Sequence, residues 1–511
     1  MTTSLQGFWK SFKSLFGIRE PHKEVLKSIE SQEERKKEAQ VPKRQVEKDS
    51  AQIIRRKLVK VHLQVGLDFG THSTKVVYSQ IGKRLSRALN FEHNLPNYPN
   101  YCLPSVAAID NHGKLALGID SAKLLLDKEW DLGFQRFKVI VAGNHDKGFK
   151  DPISHENFYR YLKQHGYDET FTSERLAAIY LAYAMGKARE LIERRAEYQD
   201  VELVIDFNIC MPIDHLENNK VKPVFENIFK WGEAIDRAWH NTGRGFDPVR
   251  ASYELENSFH NQDKRVFAVP ESVAGMASYL VSLRKQEGLH AIIDLGAGTT
   301  DVSVCNLRMP EGQSISYWYA ARNIPKGTIN IERIVASHLK DAKNSFCTPN
   351  EICTFVERLG NSAFYKKSSR EEYKSLLPDI QKEIESLRSS KEYYETWGSA
   401  FKHLKKQSKW EKVEVFICGG GAKLPYVEEV FSVPWWNQIK VKYPVSRLPV
   451  PDDYDPGDGN APFERMAVAY GLARPIPELD EYVLPGNAPD DTPPPLPTKE
   501  IPDRDDLYPK R

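Results

Sequence analysis

Two stretches decide how this chain folds: Gly66-Leu67-Asp68-Phe69-Gly70-Thr71-His72-Ser73-Thr74-Lys75-Val76 and Ile292-Ile293-Asp294-Leu295-Gly296-Ala297-Gly298-Thr299-Thr300-Asp301-Val302. Both read apolar, apolar, Asp, any residue, Gly, two further residues, Ser or Thr, Thr, any residue, Val. Apolar residues alternate around them, at Val61, Leu63 and Val65 and at Val302 and Val304, the period of a half-buried strand. Each stretch is therefore predicted to form strand, tight glycine turn, strand. A separation of 226 residues is too long for a solenoid repeat and points to two related halves.

The residue types suit phosphate chemistry. Glycine at a turn lets the backbone approach a ligand with no Cβ in the way. The N–H groups exposed there can cradle phosphate oxygens, and Ser or Thr hydroxyls add donors. An Asp ending the incoming strand would be repelled by those phosphates unless a cation stood between them. Mg²⁺ is the expected cation, and Asp68 and Asp294, one from each half, are its candidate holders through water. One Asp-x-Gly turn also marks ordinary hairpins; the pairing of two copies carries the argument. A third glycine cluster follows the strand-like run Val413–Cys418: Gly419-Gly420-Gly421-Ala422-Lys423-Leu424-Pro425, then a helix-like run from Val427 to Phe431. Strand, glycine turn and helix N-terminus is a nucleotide-contact arrangement.

The remaining composition narrows the class. The 511 residues are 40% hydrophobic and 28% charged, with a net charge of +2, enough for a sizeable core and too balanced for a basic nucleic-acid binder. Alternating strand-like and helix-like segments over about 61–474 predict an α/β fold. No run is long and apolar enough for a membrane-spanning helix, and the N-terminal residues lack the pattern of a secretory signal. Six scattered cysteines with no CxxC pair read as buried, reduced thiols in a cytoplasmic setting.

The three glycine motifs, in this order, resemble the phosphate-1, phosphate-2 and adenosine motifs of the actin, sugar-kinase and heat-shock-chaperone ATPase superfamily. Within it the chain is most similar to the nucleotide-binding domain of the seventy-kilodalton heat-shock chaperones. Leu103-Pro104-Ser105-Val106-Ala107-Ala108 with Leu117-Gly118, and Met211-Pro212, resemble linking segments of that domain. Pro270-Glu271-Ser272-Val273-Ala274-Gly275 and Arg465-Met466-Ala467-Val468-Ala469-Tyr470-Gly471-Leu472-Ala473 resemble its two connecting helices. The likeness spans about residues 63–474.

The resemblance implies a duplicated ribonuclease-H-like fold, with lobe I over 61–290 and lobe II over 291–474, returning to lobe I near 463–474, closing on ATP or ADP with Mg²⁺. It implies phosphate contacts from Gly70, Thr71, Ser73, Gly296, Gly298, Thr299 and Thr300, with Gly327 near the nucleotide. Gly420, Gly421 and Lys423 would face the adenosine. Glu271, Asp301, Lys138 and Asp68 would be the catalytic groups, and Lys75 stands where actins place a β-phosphate-binding lysine. His72, by contrast, reads as a hairpin-surface residue. The implied activity is slow hydrolysis of ATP in a chaperone-like switch whose lobe closure controls a protein partner. The alternative is a polymerising actin-like ATPase of the cytoskeleton, attached to a membrane or a partner by its N-terminal helix. Only about 40 residues, rich in proline, follow the second connecting helix, so no counterpart of the β-sandwich and helical lid that hold client peptides in the chaperones is expected among them.

The flanking segments differ in composition. Residues 1–60 hold 15 Lys/Arg and 8 Asp/Glu. Within them Leu5, Phe8, Trp9, Phe12, Leu15 and Phe16 recur at helical spacing with Lys10 and Lys13. A basic amphipathic helix over 4–17 could lie on a membrane surface, dock in a partner's groove, or pack on the chain's own core. Residues 475–511 hold ten prolines and an acidic excess, which predicts a disordered tail. Pro493-Pro494-Pro495-Leu496-Pro497 could dock on a domain that binds polyproline II segments.

Overall fold

The computed structural model describes residues 59–490, apart from 97, 127–132, 147–155, 168–170, 243–246, 256–265, 311–313, 344–354, 357–358, 360–370, 476–478 and 480. The amphipathic segment 4–17, the proline run 493–497 and two of the six cysteines, Cys347 and Cys353, lie outside the described residues.

The alternating run that ends at Asp68 forms β1 (Val59–Asp68), buried from Leu63 onward. A four-residue turn returns the chain as β2 (Ser73–Gln80), and a short β3 (Ser86–Ala88) follows. Later strands β4 (Val201–Met211) and β5 (Val266–Pro270) join on the other side of β1. The order is β3-β2-β1-β4-β5, antiparallel across β3-β2-β1 and parallel across β1-β4-β5. Parallel neighbours need a crossover connection, and the helix Ser173–Glu193 lies on that route. Its first turn is closed by the Thr172 side chain, which accepts from the Arg175 N–H.

The second glycine stretch builds the same arrangement. Strands β6 (Gly288–Leu295), β7 (Thr300–Arg308), β8 (Ile315–Ile324), β9 (Glu414–Cys418) and β10 (Val445–Arg447) assemble in the order β8-β7-β6-β9-β10. Again the first three are antiparallel and the last three parallel. The crossover helix into β9 is Lys391–His403, capped by Ser390. The protein is thus a mixed α/β structure whose two main sheets repeat one strand order and one pattern of directions. A smaller sheet of Val106–Ile109, Leu115–Leu117 and Gly133–Gln135 stands beside the first.

Two buried helices lie between the sheets. Glu271–Leu280 leaves β5 directly and is buried along its whole length. Phe463–Leu472 packs on the first sheet, where the buried Asn208 Nδ2 of β4 donates to the Leu472 carbonyl at 2.8 Å. The two helices cross so closely that a Cβ on Gly471 would overlap the Ala274 carbonyl oxygen. Val273, Met276, Ile292, Phe416, Met466 and Tyr470 form one apolar cluster that joins both sheets through these helices.

Other aromatics serve the core. The Arg175 guanidinium sits 4.7 Å from the Trp231 ring and 3.8 Å from the Tyr253 ring, and Trp231 donates to the Ser252 carbonyl. Cys102, Cys210, Cys305 and Cys418 are buried free thiols.

The proline-rich end differs from expectation. Glu481–Val483 is not disordered; it adds a parallel strand to the β8 edge of the second sheet. The three residues lie between Pro477 and Pro485 and keep their N–H donors, while Tyr482 and Leu484 pack on the central apolar cluster. Gly486 N then donates to Glu217 Oε1 at 2.8 Å.

Candidate functional site

The carboxyl ends of β1, β6 and β9 point to one place, the usual location of ligand sites in open α/β sheets. A cleft of about 370 Å³ opens there. Its walls include Asp68, Gly70, Thr71, Ser73 and Lys75 of the first hairpin and Asp294, Gly296, Thr299 and Asp301 of the second. Lys138, Glu271, Gly420 and Lys423 complete the sequence-predicted residues in its lining. The two turns meet: a Cβ on Gly298 would overlap the Thr71 methyl group.

Four sequence-predicted residues stand behind this lining. Thr300 is fully buried, and its hydroxyl donates to the Lys326 carbonyl at 2.8 Å. Gly298 packs on Thr71, Gly327 packs on the carbonyls of the second turn, and Gly421 packs on the Leu295 side chain. They shape the turns from behind.

Ladder register sets the first charge pair. Asp68 and Lys75 are partners across β1 and β2, and Lys75 Nζ donates to Asp68 Oδ2 at 2.9 Å. Burial works against the Lys75 ammonium, but Asp68 outweighs it and holds the lysine above its ordinary value. The second pair comes from distant segments. Lys138 lies in the first turn of the helix Phe137–His145, just after Arg136 in the left-handed region at φ 60°. Glu271 is the first residue of its helix. Lys138 Nζ donates to Glu271 Oε2 at 2.7 Å and reaches Cys210 Sγ at 3.9 Å. Burial opposes this charge too, yet Cys210, Glu271 and Asp68 raise the lysine well above its usual range.

The second half contributes carboxylates without such cations. Asp294 and Asp301 are opposed across β6 and β7. Asp301 Oδ1 accepts from Asn323 Nδ2 at 3.0 Å. The Asp294 carboxyl takes no side-chain hydrogen bond among the described residues. Burial pushes it up to about 7, with Glu271 and Asp68 adding and Lys75 and Lys138 opposing. Asp301 is also raised, first by burial and then by Glu271. Lys75 bonds Asp68 and Lys138 bonds Glu271, while Asp294 and Asp301 take no ion pair among the described residues, so their charge is left for bound protons or an added cation to balance.

That imbalance suits an added cation, which Asp68 and Asp294 could hold. Asp68, Cys210 and Glu271 also bring three donor atoms within 4.8 Å of one another. There the Lys138 ammonium already supplies the positive charge.

Some lining residues escape sequence reasoning. His72, read as a surface residue of the hairpin, lines the cleft and stacks on Tyr98 with centroids 4.7 Å apart and planes 13° apart. Burial, then Lys75 and Arg465, lowers it to about 4, so it is neutral at physiological pH. Tyr101, Glu332 and Arg465 also line the cleft. Gly419, with φ 87°, lies so close to Asp294 that a Cβ would overlap the carboxylate. The adjacent Gly-Gly pair is the signal that could have singled it out. Lys423 does not hang free in the cleft but pairs with Glu464.

Compared with known proteins, the chain matches no family model and no curated protein.

Proposed function

We propose that this chain binds ATP with Mg²⁺ in the cleft, hydrolyses it slowly, and uses the change to alter how its halves engage a protein partner. On this reading the halves are two ribonuclease-H-like lobes, similar to the nucleotide-binding domain of the seventy-kilodalton heat-shock chaperones. The observation that carries it is the meeting of two Asp–Gly hairpins across one cleft, each on a sheet of the same strand order.

Asp68 and Asp294 would hold magnesium through its water shell. The ion, when bound, would neutralise phosphate charge and relieve the excess of carboxylates. Turn N–H groups at 70–73 and 296–299 would receive phosphate oxygens. The third glycine turn, 419–421, would pass beside the nucleoside. Glu271 holds the Lys138 ammonium at a fixed place, where it can meet developing negative charge without reorganising. Lys75 is tied to Asp68, so its charge faces the same hairpin. Asp301 can orient water at the second turn. Positioning and charge stabilisation dominate phosphoryl transfer of this kind. The helix crossing at Gly471 and Ala274 is the natural pivot for closure, since both sheets rest on it.

The test is calorimetric titration of the full chain with ATP and Mg²⁺, followed by release of labelled phosphate. Saturable heat with slow turnover is the expected result, with Asp294→Asn losing magnesium-dependent affinity. No heat and no phosphate release with any purine triphosphate would end the proposal.

A further inference from the structure

The second sheet carries an aromatic and basic surface at the end away from the cleft. β9 ends at the cleft with Cys418, so Lys412 and Val413, which precede it, lie at the far end. The Val415 N–H donates to the Pro444 carbonyl at 2.9 Å and fixes the loop 433–444 beside them. Trp435 and Trp436 of that loop are half-buried, with ring centroids 5.9 Å apart. Both meet Phe401 of the helix Lys391–His403, at 5.9 and 5.3 Å. The fully buried Trp410 backs them, 5.7 Å from Phe401 and 6.0 Å from Trp435. Helical spacing puts Tyr394 and Gly398 on the same face as Phe401. Tyr394 is 44% exposed, and a Cβ on Gly398 would meet nothing within 4 Å. The missing side chain leaves a trough between two aromatic rings, about 10 Å long by the helical rise.

Positive charge borders the trough. Lys402, Lys405, Lys406, Lys409 and Lys412 are exposed where the helix ends and the chain returns to β9. Lys440 and Lys442 are exposed on the tryptophan loop. Glu411 is the one exposed acid within 402–412, and the loop 433–444 has no acid. None of these lysines forms an ion pair among the described residues, whereas nearby Lys391 is paired with Glu395 and Arg447 with Glu428. An aromatic trough with unpaired cations beside it suits a segment that is rich in proline and then acidic. Proline rings of a preformed polyproline II helix lie against aromatic faces at little entropic cost.

Such a segment starts where the described chain ends. Ala488 packs on the same apolar cluster as Phe401, Trp435 and Trp436. Asp490 Oδ1 pairs with His403 Nδ1 at 3.0 Å, two residues past Phe401 on the helix. The sequence then continues with Pro493-Pro494-Pro495-Leu496-Pro497, and residues 491–506 hold five acids against two basic residues. Three residues past Asp490 reach about 10 Å. A polyproline II run of five spans about 15 Å, enough to fill the trough. Tethering at Asp490 gives this segment a high effective concentration there, which a separate protein lacks. We propose that the trough between Tyr394 and Phe401 is the docking site of the chain's own tail, with Pro493–Pro497 on the aromatic rings and the acids that follow against the lysines. This is independent of the nucleotide reading.

The experiment is limited trypsin digestion of the full chain, with cleavage after Lys499 and Arg504 followed by mass spectrometry. A docked tail is expected to be cut slowly in wild type. Gly398→Glu fills the trough and adds a negative charge, and should speed both cuts about tenfold, because cleavage follows the share of tail that is open. Pro493→Ala with Pro494→Ala and Pro495→Ala should do the same from the other side of the contact. Lys405→Glu with Lys406→Glu should speed the cuts at low salt and less so at high salt. Gly398→Glu should melt no lower than wild type, because its side chain enters open space and glycine is a weak helix former. Equal cleavage rates in wild type and all three variants, fast or slow, would overturn the proposal. Protection that is lost on dilution would also overturn it, in favour of the tail of a second copy.

Discussion

Asp294 and Asp301 face each other directly across the β6–β7 ladder, both at the cleft. Burial and their carboxylate neighbours hold both above the ordinary range, Asp294 at about 7. Its unfolded value is 3.8, so between about pH 4 and 7 the folded state keeps a proton that the unfolded state has released. Stability from this group is therefore full below that window and declines as pH rises to 7. Asp294→Asn should melt higher than wild type at pH 8 without divalent ions, by about 1–3 kcal/mol. Magnesium with ATP should stabilise wild type at that pH and leave the variant unchanged. Thermal melts with and without magnesium and ATP check both. A variant melting lower than wild type at pH 8 in chelator would contradict the buried-carboxylate account.

The Lys138–Glu271 pair, with side chains only 9% and 11% exposed, should respond to removal as a coupled unit. Losing either partner alone leaves a buried, unpaired charge and should cost about 3–5 kcal/mol. Lys138→Met with Glu271→Leu should cost less than the sum of the two single changes. A double-mutant cycle in urea measures this. Glu271→Gln, which keeps the shape, should retain ATP binding and slow hydrolysis by orders of magnitude on the proposed reading. Strict additivity in the cycle would show that the two groups act separately.

The hairpins and the third glycine turn were legible because each depends on a few residue types at fixed spacing. Asp ends the strand, Gly turns it, and β-branched residues resume it. The pairing of Asp68 with Lys75 was not legible, because six residues separate them and the ladder register, with Ser73 and Thr74 paired to another strand, is set by the fold. Strand order was not legible from pattern alone, since β1 pairs with β4 more than a hundred residues later. Tyr98 and Arg465 are single residues with no periodic signal, and only the fold brings them to the cleft. Composition misled at Glu481–Val483, where surrounding prolines obscure three residues with free donors and an open sheet edge to receive them.

His215 and His290 are each 3% exposed and must stay neutral in the folded chain. Burial lowers His215 to about 3 and His290 to about 4. Their folded values lie below the unfolded 6.5, so unfolding takes up protons as pH drops below that value. This stability is complete above pH 6.5 and should fall towards pH 4, by about 1.4 kcal/mol per pH unit for each group. His290 is held by the Gly288 carbonyl at Nδ1, at 2.9 Å, and by the Tyr279 hydroxyl at Nε2, at 3.0 Å. His290→Gln should make the pH dependence of urea midpoints shallower by one such increment between pH 4 and 6. An unchanged slope would show that His290 charges without opening the core.

Gly471 and Gly420 should give opposite results when each becomes Ala. The Cβ at 471 would overlap the Ala274 carbonyl oxygen, which belongs to the helix crossing and cannot move alone. Gly471→Ala should therefore lower stability by about 1–3 kcal/mol, read as a lower urea midpoint. At 420 nothing lies within 4 Å of the added carbon, and the residue lines the cleft. Gly420→Ala should melt like wild type, yet bind ATP more weakly in the calorimeter because the methyl group occupies ligand space. The pair separates the two uses of glycine here, one bringing helices together and one leaving room for a nucleotide. Normal ATP affinity in Gly420→Ala would remove the third turn from the binding site while leaving the helix crossing intact.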